Sequence, residues 1–440
     1  MMGAALPAPV VMAAGVTRTP SSATPSPSAS PLLTPWSAAA ALAWRRCFPA
    51  LGDARVHHTT VFADNSSRSQ MPAQALTAVA GQLQHWETHR GGQPGWDSPR
   101  AERAAALRQR ARAVAASLCG GQASQIGFAA NGTSALAILS RALVGSVLHP
   151  GDTVVITEAD HDANRTPWQA LSALGIGVID VPVATDGALE PGAWGQALAR
   201  RPKVVALCML SNVTGVLLPF QRLAQEAQAA GAVVVLDAVQ GPPHGHTDIM
   251  WPEVDVAIFS NCKLFSPHLG WWAVRESLLE RMKLRPAQGA HPSLEWGSFG
   301  HASFAGFVAT FEHLCALTPQ GTLDSGMAAL RQHEAVLLRT FLQCLPTRCQ
   351  PLLLAGETAQ ARAPIFSLAL APHRWAPTRQ AFERAGIDVR IGQFGTPATL
   401  RRLAPATQAT ALRLSFVHYN SVEDVQAACA VLDELSWAAP

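Results

Sequence analysis

From about residue 70 onward the chain alternates two hydrophobic rhythms. The stretch "SPRAERAAALRQRARAVAASLCGG" carries alanine and arginine at helical spacing and stops at Gly120-Gly121, which predicts a helix with a glycine terminus. "SALAILSRALVGSV" predicts a second, mostly apolar helix. Short β-branched runs follow: "DTVVITE", "GVIDVPV", "KVVALCML", "AVVVLDAV" and "VDVAIFS", with the amphipathic "FQRLAQEAQAAGA" between two of them. Strands that are apolar throughout, separated by helices, predict a parallel sheet covered on both faces. In such sheets ligands collect outside the carboxyl ends of the strands, so the residues just after each run are where chemistry is expected.

Beyond about residue 320 the order changes. "QHEAVLLRTFLQCL" reads as helix, "APIFSLALA" as strand, "PTRQAFERAGI" as helix and "ALRLSFVHY" as strand. "SVEDVQAACAVLDELSW" closes as a helix capped by Ser421 with Asp424 three positions on, its apolar stripe formed by Val422, Val425, Cys429 and Leu432. The expected organisation is a large domain over 46–315, with 46–70 joining a smaller α/β domain at 316–440. The opening "TRTPSSATPSPSASPLLTP" cannot bury enough apolar surface to fold, so residues 1–45 are expected to be a disordered tail. Its lack of acids leaves an organelle-targeting leader open, beside a cytoplasmic location.

Composition adds exclusions. With 440 residues, 48% of them hydrophobic, the chain can bury a large core. A formal net charge of +3 with scattered arginines gives no support to nucleic-acid binding. The eight cysteines are dispersed, with no Cys-x-x-Cys and no zinc spacing, so neither a metal site nor a disulfide scaffold is expected. No uninterrupted apolar run is long enough to predict a membrane span.

One anomaly is "IFSNCKLFSPHLG". Lysine is rare here, occurring only at 203, 263 and 283, while arginine is the default cation. Lysine can give up its proton and arginine cannot. Lys263 in an apolar run is therefore either a snorkelling side chain at a strand end or an amine meant to react. The other strand ends bear on this. Gly132, Thr133 and Ser134 head a helix, where backbone N–H groups and hydroxyls suit a phosphate. Asp237 could keep a pyridine nitrogen protonated, His161 could stack on a flat ring, and Lys263 could take an aldehyde. Each has a bland reading as a cap or a structural polar group; together they describe pyridoxal phosphate.

Residues from about 48 to 437 resemble a fold-type-I enzyme of aminotransferase class V, in its cysteine-desulfurase-like branch. The resemblance rests on Gly132-Thr133-Ser134, Asp160-His161-Asp162-Ala163-Asn164, Ser211-Asn212-Val213-Thr214-Gly215, Asp237 with Gln240, and Ser260-Asn261-Cys262-Lys263. It implies an α/β fold with a mostly parallel seven-stranded sheet and a smaller C-terminal domain, with pyridoxal 5'-phosphate as cofactor. Lys263 would be its Schiff-base lysine and catalytic base, and His161 its stacking partner. Cofactor contacts would come from Gly132, Thr133, Ser134, Asn212, Asp237, Gln240 and Ser260. Ser298 in "EWGSFGHASFAG" would reach the phosphate of a partner subunit, in a homodimer with shared active sites. Arg413 in "LRLSFVHYN" would clamp the substrate α-carboxylate beside Asn212, and Arg390 could bind a second anionic group. By the same analogy Arg90 and Trp96 of "THRGGQPGWDSPR" would line the partner's site.

Two departures matter. Cys262 stands where a phosphate-binding histidine often precedes the lysine. Gln393-Phe394-Gly395 follows "GIDVRI" where desulfurases carry a nucleophilic cysteine. The expected function is thus Cα deprotonation of an amino acid without that cysteine: a β-eliminating C–S lyase or an aminotransferase, with an epimerase or a catalytically silent binding protein as alternatives.

Overall fold

The computed structural model describes residues 38–52, 61–84, 98–282, 294–356 and 361–435. Its strands, in chain order, are β1 (Val61–Phe62), β2 (Ile126–Ala129), β3 (Thr153–Thr157), β4 (Gly177–Val181), β5 (Val204–Cys208), β6 (Val233–Asp237), β7 (Val256–Ser260), β8 (Gly270–Val274), β9 (Ile365–Ala369), β10 (Ile387–Asp388), β11 (Arg390–Gly392) and β12 (Ala411–Ser415).

A seven-stranded sheet runs β2-β8-β7-β6-β5-β3-β4. All pairs are parallel except those of β8, which is antiparallel to β2 and β7. β5, β6 and β7 are buried along their whole length, because helices cover both faces and a β-branched side chain packs well on either one. The five predicted runs became β3 to β7. β2 and β8 had no such run to announce them: "IGFA" and "GWWAV" are short and carry glycine and tryptophan. The helices Pro99–Cys119 and Gly132–Ala142 lie where periodicity placed them, the first ended by Gly120 at φ 72°.

A second, antiparallel sheet has the order β11-β12-β9. It shares a hydrophobic cluster with the helices Leu323–Cys344 and Val422–Glu434, through Phe341, Phe366, Leu412 and Cys429. Val61 and Ala63 join this cluster, and β1 pairs with β10. The closing helix has the expected capping box at Ser421 and Asp424. The tail expected to be disordered through residue 45 was drawn too long. Ala38–Arg46 is a helix, held because Ala41 and Trp44 are buried and the Trp44 indole donates to the Leu317 carbonyl at 3.2 Å. The rest of that tail, and the 88–97 part of the "THRGGQPGWDSPR" stretch with Arg90 and Trp96, lie outside the described residues. Among the described residues no helix is long and apolar enough to cross a membrane, and no group of side chains could hold a metal ion.

Candidate active site

The carboxyl ends of β5, β6 and β7 open onto a cavity of about 310 Å³. Gly132, Thr133, His161, Asn212, Asp237, Gln240, Ser260 and Lys263 all line it. Ser134 does not; its backbone N–H instead donates to Asn131 Oδ1 at 2.9 Å, which caps the helix. That cap satisfies one helix-start N–H and leaves those of Gly132 and Thr133 for an anion. The helix start is brought close by Gly270: a Cβ there would stand 2.2 Å from the Asn131 carbonyl carbon. Ser298 is exposed and does not line its own chain's cavity.

Asp237, the last residue of β6, is buried; its Oδ1 accepts from the Val239 N–H at 3.0 Å. That is the single hydrogen bond to this carboxylate among the described residues. Burial pushes the carboxyl upward, opposed by that N–H and by Lys263. A buried carboxylate so thinly bonded is suited to a cationic N–H donor. The Gln240 amide donates to the Ser66 carbonyl at 3.0 Å, with its second hydrogen uncommitted. Lys263 sits in the short turn between β7 and β8, its Nζ 4.0 Å from Cys262 Sγ, which is 3.3 Å from Ser260 Oγ.

His161 Nδ1 accepts from the Ala163 N–H at 3.0 Å, so the neutral ring carries its proton on Nε2. Burial, then Lys263 and Arg413, lower its pKa to about 4. Beneath it, burial raises Asp160 to about 7, against hydrogen bonds from Thr157 and Asn164.

A second cavity of about 270 Å³ shares Ser67, His161, Asn212 and Lys263 with the first and adds Arg390, Phe394, Gly395 and Arg413. Arg413 on β12 and Arg390 on β11 are cross-strand partners. Arg413 is 1% exposed. It donates to Asp64 Oδ1 at 2.8 Å and to the Asn212 carbonyl at 3.1 Å, while its buried Nε has no partner. Arg390 is half-exposed and lies 3.7 Å from the same Asp64. Two guanidiniums against one carboxylate leave a positive charge uncompensated, and no acid lines this cavity. Asn212 lines both cavities, and its side chain donates to the Phe394 carbonyl at 3.0 Å and accepts from Thr396 Oγ1 at 2.8 Å.

The arrangement fits pyridoxal phosphate. A helix N-terminus with free N–H groups, an under-bonded buried carboxylate, a neutral imidazole and a lysine amine share one cavity. A family model described as Aminotransferase class-V matches residues 61–428. The chain belongs to this family. A probable cysteine desulfurase of Vibrio cholerae is 27% identical to it over 88% of this chain and 96% of its own. The apo cysteine desulfurase of Thermococcus onnurineus shares the fold, with a TM-score of 0.77 at 20% identity over 89% of this chain and 97% of that one. So does a lysine-to-alanine mutant of C-DES with glycine covalently linked to its PLP cofactor (TM-score 0.69, 19% identity, 89% and 99% covered). This class-V chain is therefore a pyridoxal-phosphate-dependent enzyme of the cysteine-desulfurase-like kind.

Sequence reasoning missed Asp64, Ser67, Cys208, His268, Phe394 and Gly395. Cys208 and His268 line the first cavity and followed from position alone, one ending β5 and the other five residues beyond Lys263. Asp64 carried no local signal, since its partner is 349 residues away.

Proposed function

We propose that this enzyme removes the Cα proton of an α-amino acid and then expels a β-substituent as a C–S lyase, or transfers the amino group as an aminotransferase. The reading rests above all on the loop after β11. Where desulfurases by resemblance carry a sulfur-accepting cysteine, Gln393-Phe394-Gly395 stands, tied to Asn212 and to Asp162, whose N–H donates to the Gly395 carbonyl at 2.6 Å. Cys429, the next cysteine in the chain, is buried in a hydrophobic cluster with its thiol pushed up to about 12. A thiol so held supplies no nucleophilic thiolate near neutral pH.

Pyridoxal phosphate, when bound, supplies a sink for negative charge developing at Cα. The N–H groups of Gly132 and Thr133 would hold its phosphate, Asp237 its ring nitrogen, Gln240 its ring hydroxyl, and His161 its ring face. Lys263 Nζ is the amine for its aldehyde and, once free, accepts the Cα proton. Arg413 holds the α-carboxylate: it lines the second cavity, where the surplus positive charge calls for an anion. Since Arg390, Arg413 and Asp64 together lack a single negative charge, Arg390 serves that same carboxylate rather than a second anion. Ser298, exposed and outside its own chain's cavity, supports a homodimer in which it serves the partner's phosphate.

The test is product analysis on the reconstituted enzyme with L-cysteine, L-cystine and a panel of L-amino acids. Pyruvate, ammonia and sulfide in equal amounts from L-cysteine would establish elimination; a 2-oxo acid without ammonia would establish amino transfer. Alanine with an equal amount of protein-bound persulfide would overturn the proposal. A D-amino acid would support the epimerase alternative, and no product or absorbance change with any amino acid the binding-protein one.

A further inference from the structure

We infer that residues 393–396 form a fixed strap that sets the geometry of the substrate end, with Phe394 and Gly395 as positioning residues for Arg413 and His161. The inference rests on the proposed role of Arg413 as carboxylate clamp.

The Phe394 ring lies over the Arg413 guanidinium, 4.4 Å from Cζ to ring centroid. A cation held against an aromatic face is oriented parallel to it, and Arg is the usual partner in such pairs. Arg413 is thereby fixed by the ring, by Asp64 and Ser67, and by the Asn212 carbonyl, with its Nε buried. Phe394 keeps this position with φ at 55°, a backbone conformation uncommon for a bulky residue and kept only where the surroundings impose it. The surroundings are visible: Asn212 donates to the Phe394 carbonyl, and Thr396, fully buried, bonds Asn212 from the other side. Next to it Gly395, at φ 66°, lies flat against His161, where a Cβ would stand 2.2 Å from Nε2. Asn212, His161 and Arg413 are thus each held by one or two residues of the segment 394–396. A loop so bound is a wall of the site, in contrast to one that must carry a reactive group to a substrate.

Spectral titration of the cofactor-loaded protein with L-alanine and with ethylamine, which lacks the carboxylate, separates the clamp from the rest of the site. Wild type should favour L-alanine, and Arg413→Ala should abolish the preference. Phe394→Leu, which keeps apolar bulk without a π face, should weaken L-alanine about tenfold and leave ethylamine unchanged; Phe394→Tyr should restore wild-type affinity. Gly395→Ala should shift the visible absorption band of the loaded protein by displacing His161. If Arg413→Ala leaves the preference intact, the clamp reading itself fails. If Arg413→Ala abolishes it while Phe394→Leu changes nothing, or Phe394→Tyr fails to rescue, the strap inference alone is overturned.

Discussion

The two cavities that meet at Lys263 are held together by different means. The larger is furnished by one sheet and what directly follows its strands: a helix start with its N–H groups, the strand ends with Asp237 and Ser260, and the turn between β7 and β8 with Lys263. The smaller is furnished by side chains reaching across the fold: Asp64 beside β1, Asn212 after β5, Arg390 on β11, Phe394 after it, and Arg413 on β12. Backbone N–H groups at a helix start cannot be substituted away, whereas each cross-fold contact hangs on one side chain. The first arrangement keeps a cofactor site constant, and the second leaves the substrate end free to diverge.

The largest expected effect falls where both cavities share a group. Lys263→Ala should reduce turnover by at least about 10³-fold, since it removes the proton-moving amine, while leaving the fold unchanged by circular dichroism. Retention of more than a tenth of the activity would remove Lys263 from the chemistry. Arg413→Lys comes next. A point charge replaces a planar fork, so KM for an amino acid should rise by roughly 10²-fold with kcat little altered. If instead kcat falls alone, the two ends are not separable as described.

Acid should act through the shared wall. His161 has its folded pKa lowered to about 4, so between pH 6.5 and 4 the unfolded chain binds the extra proton. Stability is complete above the unfolded pKa and is lost as pH falls toward the folded one; from pH 7 to 5 this histidine contributes a loss of about 2 kcal/mol. Denaturant titrations of wild type and His161→Phe at the two pH values should show that difference. His313, also lowered to about 4 by burial but remote from the site, should remain acid-labile in the variant. The smallest effect is expected from Arg390→Ala. A half-exposed guanidinium 3.7 Å from Asp64 should cost KM about fivefold or less.

The same division explains what could be read from the chain. Asp237 and Ser260 end apolar strands and Lys263 lies three residues beyond one, so the apolar run points at the functional residue and local spacing suffices. Arg413 was legible only through a family motif, and its orientation only through Asp64, 349 residues earlier. Asn212 shows the limit. Its motif suggested cofactor and substrate contacts, yet its side-chain hydrogen bonds go to the Phe394 carbonyl and the Thr396 hydroxyl, across the fold. Ser134 shows a simpler limit: a helix start has several N–H groups, and the cap at Asn131 takes the one on Ser134.

The Asp64–Arg413 pair also has a consequence for how the protein is made. Every group that lines the larger cavity precedes β8, whereas β12, which carries Arg413, is made long after it and occupies the centre of its sheet. During synthesis the cofactor groups and Asp64 are therefore translated well before the arginine of the clamp. The carboxylate clamp closes only once β12 has been made, so a product cut short before it would carry the chemistry of the lysine without the means to choose an amino acid.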